Sequence, residues 1–248
     1  MSRSLLVTGG GRGIGAEVSR KAVQLGYSVC INYHKDQNSA ENLVDELNSK
    51  GNRAFVCQAD VSKEEEVVGL FERFEEQFGV PDALVNNAGV LDLQTRVDQM
   101  SAERIQGIFS VNVTGSFLCA REAVKRMSTR YGGKGGSIVN LSSGAAKYGS
   151  PGEYVDYAAS KAAVDTLTTG LAREVAEEGI RVNAVRPGFI ETEIHAAGGE
   201  PNRMERVRPM VPMKRVGKPR EVADAVLWLL SDEASYITGT ILDVSGGR

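Results

Sequence analysis

Short β-branched or aliphatic runs alternate with longer amphipathic stretches from one end of the chain to the other, and this alternation constrains the fold more than any other feature. Residues 4–8 read as a first strand. A glycine-rich turn follows, then Ile14, Val18, Ala22 and Leu25 at helical spacing, closed by Gly26 as a C-terminal cap. Further strands are expected at 28–33, 53–58, 83–86, 137–141, 181–185 and 241–244. Helices are expected at 38–50, stopped by Gly51, and at 101–127, 154–178 and 220–230. Another opens at the capping box Ser62-x-x-Glu65 and carries Val67, Leu70, Phe71, Phe74 and Phe78 on one face. Strict strand–helix alternation needs crossover connections and produces a parallel sheet with helices on both faces. The expectation is an α/β, single-domain, doubly wound parallel sheet spanning residues 1–248. One irregular segment at 191–217, with Gly198, Gly199 and Gly217 around a Pro- and Arg-containing stretch, is expected to act as a substrate lid.

Composition removes several classes of function. In 248 residues, 29 Lys+Arg against 32 Asp+Glu leave a net charge of −3, without the basic blocks of a nucleic-acid binder. Cys30, Cys57 and Cys119 are scattered within apolar stretches and read as buried free thiols of a reducing compartment. With only His34 and His195 and no Cys cluster, no metal site is expected. No apolar run approaches membrane length and no signal-peptide core follows Met1, so a cytoplasmic protein without membrane or nucleic-acid partners is expected.

The first strand runs into Thr8-Gly9-Gly10-Gly11-Arg12-Gly13-Ile14-Gly15, where a helix begins. Glycines there let the backbone turn tightly and approach a pyrophosphate, which the helix N-terminus stabilises through free N–H groups and its dipole. A P-loop would need Lys and then Ser or Thr after the last glycine, whereas Gly15 is followed by Ala16-Glu17, so a nucleoside triphosphatase is disfavoured. At the end of the second strand, an acidic side chain selects the ribose 2′-hydroxyl of NAD(H) and repels a 2′-phosphate. Here the residues are Tyr33-His34-Lys35, with Asp36 one step later. Arg12, His34 and Lys35 are suited to a 2′-phosphate, so NADP(H) is the preferred cofactor, with NAD(H) as the alternative and an exposed polar turn as the bland reading of His34 and Lys35.

Asn86-Asn87-Ala88-Gly89 ends the fourth strand, Asn112 sits inside the long helix, Ser142-Ser143 ends the fifth strand, and Tyr157-Ala-Ala-Ser-Lys161 lies on the next helix. In order with the glycine loop and Pro187-Gly188, these motifs strongly resemble the short-chain dehydrogenase/reductase family, a Rossmann-fold family, over nearly the whole chain. Among its subgroups the sequence is similar to 3-oxoacyl-carrier-protein reductases and glucose 1-dehydrogenases. The residues support the chemistry directly: Tyr157 and Lys161, at i and i+4, share a helix face, so an ammonium can stabilise a phenolate and move the Tyr157 pKa downward. Ser143 would hold the substrate oxygen while hydride passes between nicotinamide and a carbonyl or secondary alcohol.

The resemblance further implies that Lys161 grips the nicotinamide ribose and that Asn112 anchors a water in a proton relay. It implies cofactor contacts from Thr8, Gly9, Gly11, Gly13, Ile14, Gly15, Asn86, Asn87, Ala88 and Gly89. Asp60 and Val61 would flank adenine, and Pro187, Gly188, Ile190 and Thr192 would lie at the nicotinamide end. Asp60 and Thr192 also suit plain capping roles. The family places its serine thirteen residues before the tyrosine. Ser143 stands fourteen before, which an extra residue in the loop at 149–156 accounts for, and Ser142 remains the alternative. Tyr154 is a decoy, because its own i+4 neighbour is Ala158. A hydrolase lacks support, with no Gly-x-Ser-x-Gly elbow, and a cofactor-binding sensor without turnover is the alternative to an enzyme. Arg203, Arg206 and Arg208 read as a solvated basic face, with a contact to a phosphopantetheine or an acidic carrier protein as the alternative. The resemblance suggests a homotetramer built on the helices around Asn112 and Tyr157.

Overall fold

The computed structural model describes residues 3–51, 53–192, 200 and 203–248. Seven parallel strands, β1 (Ser4–Val7), β2 (Ser28–Tyr33), β3 (Ala54–Gln58), β4 (Ala83–Asn86), β5 (Gly136–Leu141), β6 (Ile180–Pro187) and β7 (Ile241–Val244), form one sheet in the order β3-β2-β1-β4-β5-β6-β7. The central strands are buried along their whole length because helices cover both faces, which is why they read as continuous apolar runs. Alternate residues then feed two separate cores. Leu5, Val7, Val29, Ile31, Val85 and Val139 pack in one core, beneath α1 (Gly13–Gln24), α2 (Gln37–Asn48) and α9 (Pro219–Leu230). Leu6, Cys30, Leu84 and Ile138 point the other way, against α3 (Glu64–Phe78), α5 (Gly115–Met127) and α7 (Val155–Glu174). All three cysteines are free and buried, and burial pushes the Cys119 thiol up to about 12.

Five elements depart from the sequence-based expectation. The helix expected at 101–127 is α4 (Ala102–Phe109) and α5, separated by a π-helical turn at Ser110–Thr114. The helix expected at 154–178 ends at Glu174 and gives way to a 3-10 turn, Ala176–Glu178. Ser62 does not cap α3, whose N-cap is Lys63 without a side-chain bond. Instead the Ser62 N–H and hydroxyl both donate to Asp60 Oδ1, at 3.0 and 2.7 Å, because an Asx turn captures Ser62 before the helix begins. Two short helices went unread, α6 (Ala145–Tyr148) and α8 (Arg203–Val207). Gly198, Gly199 and His195, with the rest of 193–199 and 201–202, lie outside the described residues.

Between β1 and β4 the strand order reverses, and open α/β sheets bind ligands at the carboxyl ends of strands at such a switch point. The loop after β1 is locked to the loop after β4. Thr8 Oγ1 accepts the N–H groups of Asn87 and Ala88, both at 3.0 Å, and the Asn87 side-chain amide donates to the Thr8 and Gly9 carbonyls, both at 2.9 Å. Gly15 sits inside this latch, where an added Cβ would lie 2.6 Å from Asn87 Nδ2 and 2.6 Å from the Gly9 carbonyl oxygen. An alanine there gains up to about 1 kcal/mol of helix propensity, which a collision with fixed backbone exceeds. Gly15→Ala is therefore expected to destabilise the protein by about 1–3 kcal/mol, read as a lower midpoint of urea unfolding. An unchanged midpoint would mean that the latch yields.

Candidate active site

Two adjoining cavities open along the switch point. The first, of about 410 Å³, is lined by Gly9, Gly11, Arg12, Gly13, Ile14, Tyr33, His34, Lys35, Asp60, Val61, Asn87, Ala88, Gly89 and Thr192 among others. The second, of about 370 Å³, shares Ile14, Asn87, Gly89 and Thr192 with it and adds Ser142, Ser143, Tyr157, Lys161, Pro187, Gly188 and Ile190. Thr8 and Gly15 line neither, and act through the latch. Asn86 also stays out of the cleft: its amide donates to the Ser116 carbonyl at 3.2 Å and to Asn140 Oδ1 at 2.9 Å, tying β4 to β5 and α5.

The first cavity fits a dinucleotide on its donor set. Helix α1 begins after Arg12 with no side-chain cap and no acidic residue in its first turn, so its leading N–H groups and dipole face an anion site. Gly13 holds φ +54 there. Asn32, which sequence reasoning missed, organises this end. Its side chain accepts the Gly9 N–H at 3.2 Å and donates to the Cys57 and Ala59 carbonyls at 3.2 and 3.0 Å. A lone Asn inside the otherwise apolar run Ser28–Tyr33 was the available signal. At the far end, Tyr33 is buried and the Asp36 carboxylate accepts the Ser39 N–H at 3.1 Å, capping α2, with the Arg12 guanidinium 4.0 Å away. Those Ser39 hydrogen bonds, helped by Arg12, hold the Asp36 carboxyl below its ordinary value. His34 Nε2 lies 3.8 Å from the Asp60 carboxylate, which burial pushes up and the bonds from Ser62 pull down to a net lowering.

Ser143 and Tyr157 both line the second cavity. Ser143 Oγ accepts the Ala145 N–H at 3.1 Å, at the start of α6. Ser142, by contrast, donates to the Lys161 carbonyl at 3.2 Å, pinning β5 to α7. Lys161 Nζ is buried, donates to the Leu141 carbonyl at 2.7 Å, and lies 5.7 Å from the centre of the Tyr157 ring. Burial pulls the Lys161 pKa down to about 8, against the opposing pull of Asp165. The same burial pushes the Tyr157 phenol above its ordinary value, with Ser143 offsetting part of the rise. The expected downward displacement by Lys161 is thus reversed in the ligand-free enclosure, where desolvation of the phenolate outweighs its stabilisation.

Asn112 occupies the π turn and is fully buried. Its amide donates to the Val90 carbonyl at 3.1 Å and to Ser160 Oγ at 3.0 Å, while its oxygen accepts the Val90 N–H at 2.8 Å. A Cβ on Gly89 would sit 3.3 Å from Lys161 Nζ and 3.4 Å from Asn112 Oδ1, so glycine keeps open the space between these two polar atoms. π turns of this kind recur at functional sites.

The outer wall of the second cavity corrects the reading of the basic segment. Arg206 and Arg208 are exposed, but Arg203 is only 6% exposed, stacked on the decoy Tyr154 with its Cζ 5.0 Å from the ring centre. Glu153 and Glu200 pair with both Arg203 and Arg206. Burial by aromatic residues, invisible in the local charge pattern, separates Arg203 from its neighbours.

A dinucleotide cleft at the switch point, joined to a Ser–Tyr–Lys pocket, defines the class: the chain belongs to the short-chain dehydrogenase/reductase family and is an oxidoreductase of that family, which uses a nicotinamide dinucleotide. The family described as enoyl-(acyl carrier protein) reductase matches residues 9–248. The chain is similar to the uncharacterized oxidoreductase YgfF of Escherichia coli, 55% identical over 98% of both chains. It is also 37% identical to glucose 1-dehydrogenase 2 of Bacillus subtilis, over 99% of this chain and 94% of the relative. The 3-oxoacyl-(acyl-carrier-protein) reductase FabG of Staphylococcus epidermidis is likewise 37% identical, over 100% of this chain and 99% of the relative.

The buried Lys161 ammonium carries a stability cost with a defined pH window. Its folded pKa of about 8 lies below the ordinary 10.5, so between these values the unfolded chain binds more protons and stability rises with pH. The penalty is full below pH 8 and fades toward the upper value. Lys161→Met, which removes the charge and keeps most of the volume, is expected to raise the melting temperature of the cofactor-free protein at pH 7, with the gain shrinking as pH approaches 10. A melting temperature lowered equally at every pH would show that the bond to Leu141 dominates.

Proposed function

We propose that the protein is an NADP(H)-dependent reductase of a carbonyl, or dehydrogenase of the matching secondary alcohol, with Tyr157 as the general acid and base. The observation that carries this reading is that Ser143, Tyr157 and the buried Lys161 line one pocket continuous with the dinucleotide cleft, with Lys161 Nζ 5.7 Å from the centre of the Tyr157 ring. When bound, the nicotinamide supplies or takes up the hydride. Ser143 holds the substrate oxygen, Tyr157 gives it the proton during reduction or takes it during oxidation, and Lys161 stabilises the phenolate between turnovers. Lys161 is also the group that reaches the nicotinamide ribose. Asn112 supports the proton path through the space beside Gly89, where its oxygen faces Lys161.

The preference for NADP(H) over NAD(H) is supported by Arg12, His34 and Lys35 around one end of the cleft, and by Asp36 being engaged as the cap of α2. Glycine-loop residues, Asp60, Val61, Asn87, Ala88, Gly89, Pro187, Gly188, Ile190 and Thr192 complete the cofactor contacts. On this reading residues 1–248 are one nucleotide-binding domain. The segment 191–217 acts as the substrate lid, with Arg203, Arg206, Val207 and Met210 already lining the substrate cavity. Exposed Ile105 on α4 and Phe117 on α5 suit a homotetramer interface, and the expected compartment is the cytoplasm. Among the described residues no helix is long and apolar enough to cross a membrane.

Tyr157→Phe keeps the ring and removes the transferable proton. With a substrate found by screening, it is expected to lower kcat by at least about 100-fold while cofactor affinity survives. Ser143→Ala is expected to reduce turnover, and Ser142→Ala to reduce it much less. Near wild-type turnover by Tyr157→Phe would remove Tyr157 from the reaction. Arg12→Ala is expected to weaken NADPH binding by about 10- to 150-fold and to leave NADH nearly unchanged, measured by cofactor titration. Equal losses for both, or a wild type that prefers NADH, would reverse the cofactor assignment.

A further inference from the structure

The lining of the substrate cavity includes a second guanidinium, from Arg248, which no motif singled out. Its Cζ lies 4.5 Å from the centre of the Phe189 ring and 5.1 Å from that of Tyr148. Phe189 has Arg203 on it as well, at 5.8 Å. Two cations therefore share one aromatic ring inside one small cavity. Their electrostatic states differ. Glu153 and Glu200 balance Arg203 and Arg206, whereas Arg248 has no carboxylate within salt-bridge distance among the described residues. Arg203 Nε and Arg248 Nη1 are also buried without a hydrogen-bond acceptor among the described residues. A buried donor with no acceptor is costly, and more so when it belongs to a charged group. Aromatic stacking offsets part of the cost of burying the charge, but supplies no in-plane acceptor for the N–H.

We propose that this aromatic-held arginine pair recognises a carboxylate on the substrate, so that the protein acts on oxo acids and the corresponding hydroxy acids. The inference rests on the oxidoreductase reading above and narrows its substrate class. A carboxylate supplies planar acceptors matched to the guanidinium fork, and its charge balances Arg248. Reduction of an oxo acid takes a hydride from the reduced nicotinamide cofactor onto the carbonyl carbon and a proton from the Tyr157 phenol onto the carbonyl oxygen. The products are a hydroxy acid and the oxidised cofactor, and the carboxylate is unchanged. Arg203 and Arg248 are anchoring groups for the far end of the substrate, with no part in proton transfer.

The test uses the full-length protein with NADPH and NADH. Straight-chain oxo acids, with the carbonyl placed successively further from the carboxylate, are compared with their methyl esters and with oxoalkyl phosphates. For at least one acid, kcat/KM is expected to exceed that of its ester by about 10- to 150-fold, mainly through KM. Arg248→Gln is expected to collapse this ratio to within a few-fold, and Arg248→Lys to restore part of it. Because Arg203 is buried and its loss can disturb folding, Arg248 carries the test. In parallel, binding of a non-reducible dicarboxylate to the cofactor-loaded protein is measured by calorimetry, and it is expected to be lost in Arg248→Gln. Esters turned over as well as acids, with a ratio insensitive to Arg248→Gln, would overturn the carboxylate assignment and leave the oxidoreductase reading standing. A preference for the phosphates would overturn it in favour of a phosphate site. If none of these compounds turns over, the calorimetry decides the anion site: dicarboxylate binding dependent on Arg248 supports it, and none overturns it.

Discussion

The contact between the Thr8 hydroxyl and the backbone of Asn87 and Ala88 is the constraint on which the rest of the site depends. Parallel strands that are neighbours in the sheet but distant in sequence diverge at their carboxyl ends, since each connection leaves toward a helix layer. At the switch point β1 and β4 leave in opposite directions, and a crevice opens between them. Left alone, its walls would be two loops with unsatisfied backbone. Thr8 and Asn87 satisfy that backbone mutually, and Asn32 does the same on the β2 and β3 side. The crevice stays open, yet its walls are as fixed as the sheet. Gly15 is then required by contact distances of 2.6 Å and Gly9 by its φ of +58, in addition to any need of a bound pyrophosphate.

The two ends of the site differ in how much was legible beforehand. The cofactor end rests on local patterns: a strand, a glycine turn, a helix, then Asn-Asn-Ala-Gly at the next strand end. Those patterns act over short spans, and the sheet order brings them together by rules of connection that sequence alternation already implies. Asn112 was found as a residue but its surroundings were not, because the π turn follows from side-chain bonds to Val90 and Ser160, far away in sequence. The same holds for Ser62, where a local competition between two capping modes went to Asp60. At the outer wall of the substrate cavity little was legible. Tyr148, Tyr154, Phe189, Arg203 and Arg248 come from five separate stretches, and no period links them. Charge pattern grouped Arg203 with Arg206 and Arg208, whereas packing on Tyr154 and Phe189 assigns it to the interior.

Burial sets the electrostatics of Tyr157 and Lys161 in opposite senses. It raises the phenol of Tyr157 and lowers the ammonium of Lys161, so each is displaced toward its neutral form. Above about 8 and below the raised phenol value both groups are neutral, a poise absent at their exposed values, where the phenol gives up its proton before the ammonium does.

Ser143 adds direction to that poise. Its oxygen already accepts the Ala145 N–H, which leaves the hydroxyl proton as the natural contribution to anything that enters. On the proposed reading, a substrate oxygen in this pocket meets two O–H donors, from Ser143 and Tyr157. Two donors converging on one oxygen stabilise a state in which negative charge gathers there, which is the state reached as hydride adds to a carbonyl. Ser142 cannot serve in the same way, because its hydroxyl donates to the Lys161 carbonyl and holds β5 against α7. The adjacent serines thus differ: Ser142 fixes the helix that carries Tyr157 and Lys161, and on the proposed reading Ser143 faces the substrate oxygen that Tyr157 protonates.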